Sequence, residues 1–247
     1  MVLRTLAKLT EKVGCDFSIH SKSAICRPKM QRRWIVRIFK GCMAAIWFAS
    51  LSCSVPFVPQ NYFPVQQNNR WVFNGPLKTL LITEQEEAAP VLLFRIASVD
   101  SQDTPISWLH CRQAKDAVEW TAFEPFPNLL PTFRFDPPLL LTPFSDQIGA
   151  KKIVQGIEIC ENSATTACRV RVIYAIDSIE AVRIPAGDFP ECIKMRMSIL
   201  YLETPERHFL ANDVIWWFAR DVGPVRYSMI SGQGELQSAK VDGKNWP

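Results

Sequence analysis

From Trp71 onward the apolar residues recur at every second position, and this period of two is what most limits the fold. In Ile193-Lys-Met-Arg-Met-Ser-Ile-Leu-Tyr201 the odd positions are all apolar and the even ones mostly polar, as in a strand with one face in a core and the other in water. Val170, Val172, Tyr174 and Ile176 form a second such face, opposed by Arg169 and Arg171. Val225, Tyr227 and Met229 form a third, with Arg226 and Ser228 outward. Turn-forming clusters separate these runs: Pro185-Ala-Gly187-Asp188, Asp221-Val-Gly223-Pro224, Ser231-Gly-Gln-Gly234 and Asp242-Gly243. Gly187 and Gly223 are placed to supply positive φ. No long segment there carries apolar residues at helical spacing, so hairpins are expected rather than βαβ units. About ten strands exceed a comfortable flat sheet, and a mostly β fold follows: an antiparallel curled sheet, half-barrel or barrel-like, over residues 71–247.

Residues 101–150 break the pattern. Pro125, Pro127, Pro131, Pro137 and Pro138 alternate with Phe123, Phe126, Phe133 and Phe135, and proline removes ladder donors. Residues 124–136 read as a long loop over an apolar surface, either the rim of a binding groove or a segment pinned to the core by its phenylalanines. Trp216 and Trp217 are adjacent on one predicted strand and must point to opposite faces. One belongs to the core; the other faces solvent, a groove or a partner.

Charge separates the chain into two parts. Residues 1–40 hold ten Lys/Arg against two Asp/Glu, and the remainder holds 18 against 22. A mildly acidic body argues against a nucleic-acid partner, because such a surface must neutralise phosphates. The basic stretch Met30–Lys40 followed by the uncharged apolar run Gly41–Ser52 has signal-peptide order. The run is short of the ~20 residues of a membrane span, and a signal anchor is the weaker alternative. Residues 1–29 read as an upstream extension before a true start at Met30, residues 30–53 as a signal peptide or membrane-anchor helix, and residues 54–70, uncharged through Asn69 and rich in Pro, Gln and Asn, as a tether.

Ser50-Leu51-Ser52-Cys53 resembles a bacterial lipobox, which implies lipidation at Cys53 and attachment to a membrane. Leu51 stands one position closer to the cysteine than in that pattern, so ordinary cleavage after Ser52 or Ser54 stays open. Beyond Cys53 the chain holds Cys111, Cys160, Cys168 and Cys192. None lies in a C-x-x-C pair, which excludes the usual zinc spacing. Export favours disulfides among the four, with Cys160 and Cys168 placed to bridge the mouth of a hairpin. The alternative is that all four are small buried hydrophobes.

Chemistry is sparse in the body of the chain. His110 and His208 lack spaced partners, and His110 and Cys111 point apart on a strand. There is no nucleophile elbow, no His-Glu-x-x-His and no phosphate-cradling glycine loop. Asp177, Asp188, Glu191, Glu203 and Glu206 fall in turns or on polar faces, and Arg169, Arg171, Arg183, Lys194 and Arg196 read as a solvated outer face. No catalytic residue, metal or cofactor is assigned.

Four elements in order, Tyr62-Phe63-Pro64, Trp71-Val-Phe73, Ile184-Pro-Ala-Gly-Asp-Phe189 with Cys192, and Trp216-Trp-Phe-Ala219 with Val222-Gly-Pro-Val-Arg226, resemble a group of uncharacterised bacterial lipoproteins and secreted β domains. The resemblance implies a cell-envelope, mostly antiparallel β domain with no established catalytic residues. Two classes of function remain. In one, the curled sheet binds an apolar or amphiphilic ligand such as a lipid, with Phe123, Phe126, Phe133, Phe135, Trp216 and Trp217 as its surface. In the other, the domain is a structural or assembly partner of an envelope protein. An apolar groove favours the first and a filled interior the second.

Overall fold

The computed structural model describes residues 56–125, 132–161, 166–203 and 213–247. Within them the chain forms thirteen strands: β1 (Arg70–Phe73), β2 (Thr79–Ala88), β3 (Val91–Val99), β4 (Pro105–Ala114), β5 (Ala117–Pro125), β6 (Thr132–Leu140), β7 (Lys151–Glu161), β8 (Thr166–Ile184), β9 (Gly187–Tyr201), β10 (Val214–Ala219), β11 (Gly223–Met229), β12 (Gly232–Val241) and β13 (Lys244–Trp246). Each pairs antiparallel with its sequence neighbour. The sheet then closes on itself, because β1 also pairs with β12 through Arg70↔Lys240, Trp71↔Ala239 and Val72↔Ser238. Twelve strands thus make an up-and-down barrel, and β13 adds to β12 at Val241↔Lys244.

The alternation read from the sequence sets which side faces in. On β8, Val170, Val172, Tyr174 and Ile176 are buried, and on β9 so are Ile193, Met195, Met197 and Ile199. Tyr174 lies opposite Met197 and Ile176 opposite Met195, so the two apolar faces share the interior. Gly187 and Gly223 both have positive φ, at 133° and 100°. At Gly223 a Cβ would stand 3.1 Å from Trp71 Nε1, which leaves glycine the residue that fits.

One end of the barrel is floored by the segment ahead of β1. A 3-10 turn at Pro59–Tyr62 lies against the β4–β5 and β10–β11 turns. Gln60 Nε2 donates to the carbonyl of Ala114 at 3.1 Å and to that of Lys115, and Asp221 N–H donates to Asn61 O at 2.6 Å. Tyr62 and Phe63 are buried, with Phe63 5.2 Å from the ring of Trp71. Residues 56–69 of the stretch read as a tether are therefore packed on the barrel. The uncharged composition suits this, since no charge is carried into the core.

Of the loop expected over residues 124–136, the described residues 124–125 and 132–136 are instead the facing ends of two paired strands, and residues 126–131 lie outside the described residues. Glu124 and Pro125 finish β5, and Thr132–Asp136 begin β6, with Phe123 opposite Phe133. The prolines act where pairing lapses: β5 bonds β6 at residues 133–134 and again at 139–140, and Pro137 and Pro138 fall between. The signal or anchor helix and Cys53 lie outside the described residues, as does Phe126.

Candidate functional site

A twelve-stranded barrel is wider than the eight-stranded kind whose interior side chains just fill it. The consequence is a cavity of about 330 Å³ in the lumen. Phe63 forms its floor, Trp120, Met195 and Phe218 stand in its wall, and its lining runs out past Ser107 and Met229 to Ile230. Ile230, in the β11–β12 turn, is 68% exposed, so the lumen reaches the surface beside it.

Cross-strand pairing builds this wall in rows. Leu80, Ser98 and Ser107 lie side by side on β2, β3 and β4, and Ile96, Leu109 and Phe123 on β3, β4 and β5. On the facing arc Met197 pairs with Val214 and Met195 with Trp216. Among the described residues no charged side chain, histidine or cysteine lines the cavity, and its polar side chains are Ser98, Ser107 and Ser231. Such a wall attracts hydrocarbon.

Several cross-strand ion pairs lie on the outer wall. Arg196 Nη2 is 2.6 Å from Asp177, Arg112 Nε 2.6 Å from Glu119 and Arg226 Nη2 2.8 Å from Glu235. Of the basic residues read as an outer face, Arg169 meets Glu203 and Arg183 meets Asp188. His110 Nε2 sits 3.2 Å from Glu124 Oε2, each about one-third exposed.

Of the six aromatic candidates, the structure brings Phe123 and Trp216 together on the cavity. Phe133 and Phe135 are buried core residues, the latter 5.5 Å from the Trp120 ring. Trp217 points the other way from Trp216. Its ring lies between Lys194 Nζ at 5.0 Å and the Arg226 guanidinium at 5.6 Å, and its Nε1–H donates to Glu180 Oε1 at 2.6 Å. That bond, with a second from Ser178, holds the Glu180 carboxyl below the usual carboxylate range.

The expected disulfides are not formed: Cys111, Cys160, Cys168 and Cys192 are buried free thiols. Register explains it. Cys160 stands opposite Thr166 and Cys168 opposite Glu158, a diagonal relation of ~7–8 Å, beyond the Cα separation that a disulfide spans. Cys111 and Cys192 lie on β4 and β9, which are not neighbours. Burial pushes the Cys111 thiol well above its ordinary value and raises Cys192 to about 12.

Sequence reasoning missed Glu158, which is buried and accepts a 2.6 Å hydrogen bond from Tyr201 O–H. On β7 the large aliphatics Ile153 and Ile157 are exposed while Glu158 and Cys160 turn inward. The strand is inside out relative to its composition, so alternation alone would point to the wrong face. Most of the lumen wall was also missed, because which strands face each other across a barrel leaves no local signal.

No protein-family profile matches the chain, and no curated protein matches it. Among solved structures it is similar to a protein from Bacteroides fragilis assigned as exported, with a YmcC-like fold, at TM-score 0.48 and 15% identity over 72% of this chain and 98% of that one. It is also similar to a protein from Parabacteroides distasonis assigned as a lipoprotein, at TM-score 0.37 and 12% identity over 72% of this chain and 98% of that one.

Proposed function

We propose that this chain is a non-catalytic, exported β-barrel of the bacterial cell envelope that holds one apolar or amphiphilic chain, such as the acyl chain of a lipid, in its lumen. The unfilled apolar lumen carries the reading: a scaffold whose role is purely structural gains nothing from a cavity of about 330 Å³, since each unfilled volume forfeits packing. On the scale at which a ~150 Å³ apolar cavity takes one benzene, this volume takes a chain of about a dozen carbons. Each methylene moved from water contributes ~0.8 kcal/mol. The absence of titratable side chains from the lining, among the described residues, supports binding rather than turnover. Export rests on the basic n-region and apolar h-region, and lipidation of Cys53 is the proposed mode of attachment.

The test is native mass spectrometry and solvent extraction of the full-length protein purified from its own host. A stoichiometric chain lipid released on denaturation is expected. Protein that is stoichiometrically empty, and that fails to take up alkyl chains added to it, would overturn the assignment and leave the envelope-partner role.

A further inference from the structure

The polar side chains of the lining are Ser98, Ser107 and Ser231, and the first two form a cross-strand pair. Ser98 and Ser107 face each other across β3 and β4 and both line the cavity. Ser98 is 8% exposed. Neither hydroxyl makes a hydrogen bond to another group among the described residues. Ser107 is half-buried, and both serines line the lumen, where the polar group of a ligand can reach them. Both serines sit toward the rim. Ser107 is near the start of β4, whose far end, Ala114, is the residue that Gln60 holds at the floor. From the serines to Phe63 the lining is apolar.

We propose, on the premise of the lumenal binding described above, that the barrel takes its ligand tail first and selects an uncharged head group that can hydrogen-bond: a hydroxyl or ester rather than a carboxylate or phosphate. The tail runs toward Phe63 and the head lies between Ser98 and Ser107, which donate and accept equally well. An anionic head there meets no cation, because among the described residues no lysine, arginine or histidine lines the cavity. Moving a charge into such surroundings without a counter-charge is far costlier than moving a hydroxyl.

The experiment compares 1-dodecanol with dodecanoate at pH 8, both below their aggregation limits, on the delipidated full-length protein. Trp120 and Trp216 line the cavity, so the intrinsic fluorescence reports occupancy. Dodecanol is expected to bind at least tenfold more tightly than dodecanoate. Ser98→Ala/Ser107→Ala is expected to lose about tenfold for dodecanol, the equivalent of one hydrogen bond, while dodecanoate changes less than twofold. Equal affinity for the two ligands in the wild-type protein, or tighter dodecanoate, overturns the head-group proposal without recourse to any variant. Unchanged dodecanol binding in a double variant that melts like the wild type overturns the placement at the serines. Binding of neither ligand defeats the lumenal reading itself, a result distinct from both.

Discussion

The indole N–H of Trp71 donates to the carbonyl oxygen of Val222 at 2.6 Å, across 151 residues of sequence. The bond ties the first strand to the β10–β11 turn, and the missing side chain of Gly223 makes room for it. Trp71→Phe leaves a buried carbonyl without its donor and is expected to cost ~1–3 kcal/mol. Gly223→Ala strains a φ of 100° and is expected to cost a similar ~1–3 kcal/mol. Because both act on one contact, their effects in urea unfolding are expected to be less than additive; strict additivity would show the two sites to be independent.

Trp216 and Trp217 should separate function from stability. Trp216→Phe reshapes the lumen and is expected to change alkyl-chain affinity while the fold loses less than ~1.5 kcal/mol. Trp217→Phe removes the donor to Glu180 and is expected to lower stability at neutral pH with ligand affinity intact. Glu180 has a depressed folded pKa, so its contribution is complete above the unfolded carboxylate value and fades as pH falls through the folded one. The gap between wild type and Trp217→Phe in chemical denaturation is expected to narrow on acidification. A gap independent of pH would assign the loss to packing alone.

The thiols set an alkaline limit. Cys192 ionises near 9 when unfolded and near 12 in the folded protein, so the unfolded state sheds its proton first and stability falls as pH rises from 9 toward 12. The slope is at most ~1.4 kcal/mol per pH unit for this group. Cys192→Ala is expected to flatten the decline relative to wild type. Thiol titration of the native protein near neutral pH should find these four cysteines unreactive, and all four reactive after denaturation without a reductant.

Phe63 is the floor of the lumen and is 2% exposed. Phe63→Ala is expected to cost ~3–5 kcal/mol in thermal or urea unfolding and to move the preferred alkanol toward longer chains. Loss of stability with no change in chain-length preference would mean that the tail does not reach it.

The strands were legible where one face is uniformly apolar, as on β8, β9 and β11, and the turns at Gly187 and Gly223 were legible because few other residues adopt their φ. The hairpin at Phe123 and Phe133 was not, because five prolines in that region mask strands that persist on either side of the interruption. Disulfide pairing failed for a related reason: Cys160 and Cys168 flank a short connection, but their register is diagonal, and a two-residue offset in register is invisible in composition. Phe123 drew attention through the aromatics around it and Trp216 through its adjacency to Trp217, and both line the cavity. Ser98 and Ser107 were not, since a serine in a strand carries no sign of whether it faces water or a lumen until the opposite wall is in place.

The seam of the barrel brings Asn69 and Asp242 into contact, with Asn69 Nδ2 donating to Asp242 at 3.0 Å across 173 residues. Neighbouring hairpins can zip locally, but this last ladder must wait for almost the whole chain and carries the loop-closure entropy of that span. Until then β1 and β12 are two bare edges of one sheet, open to pairing with other chains. For a polypeptide that emerges N-terminus first from an export channel, the shut barrel is attainable only after residue 240 has passed. On the proposed export route, the speed of translocation would set the period of exposure to aggregation, and holding factors on the far side would act on an open sheet rather than on a barrel.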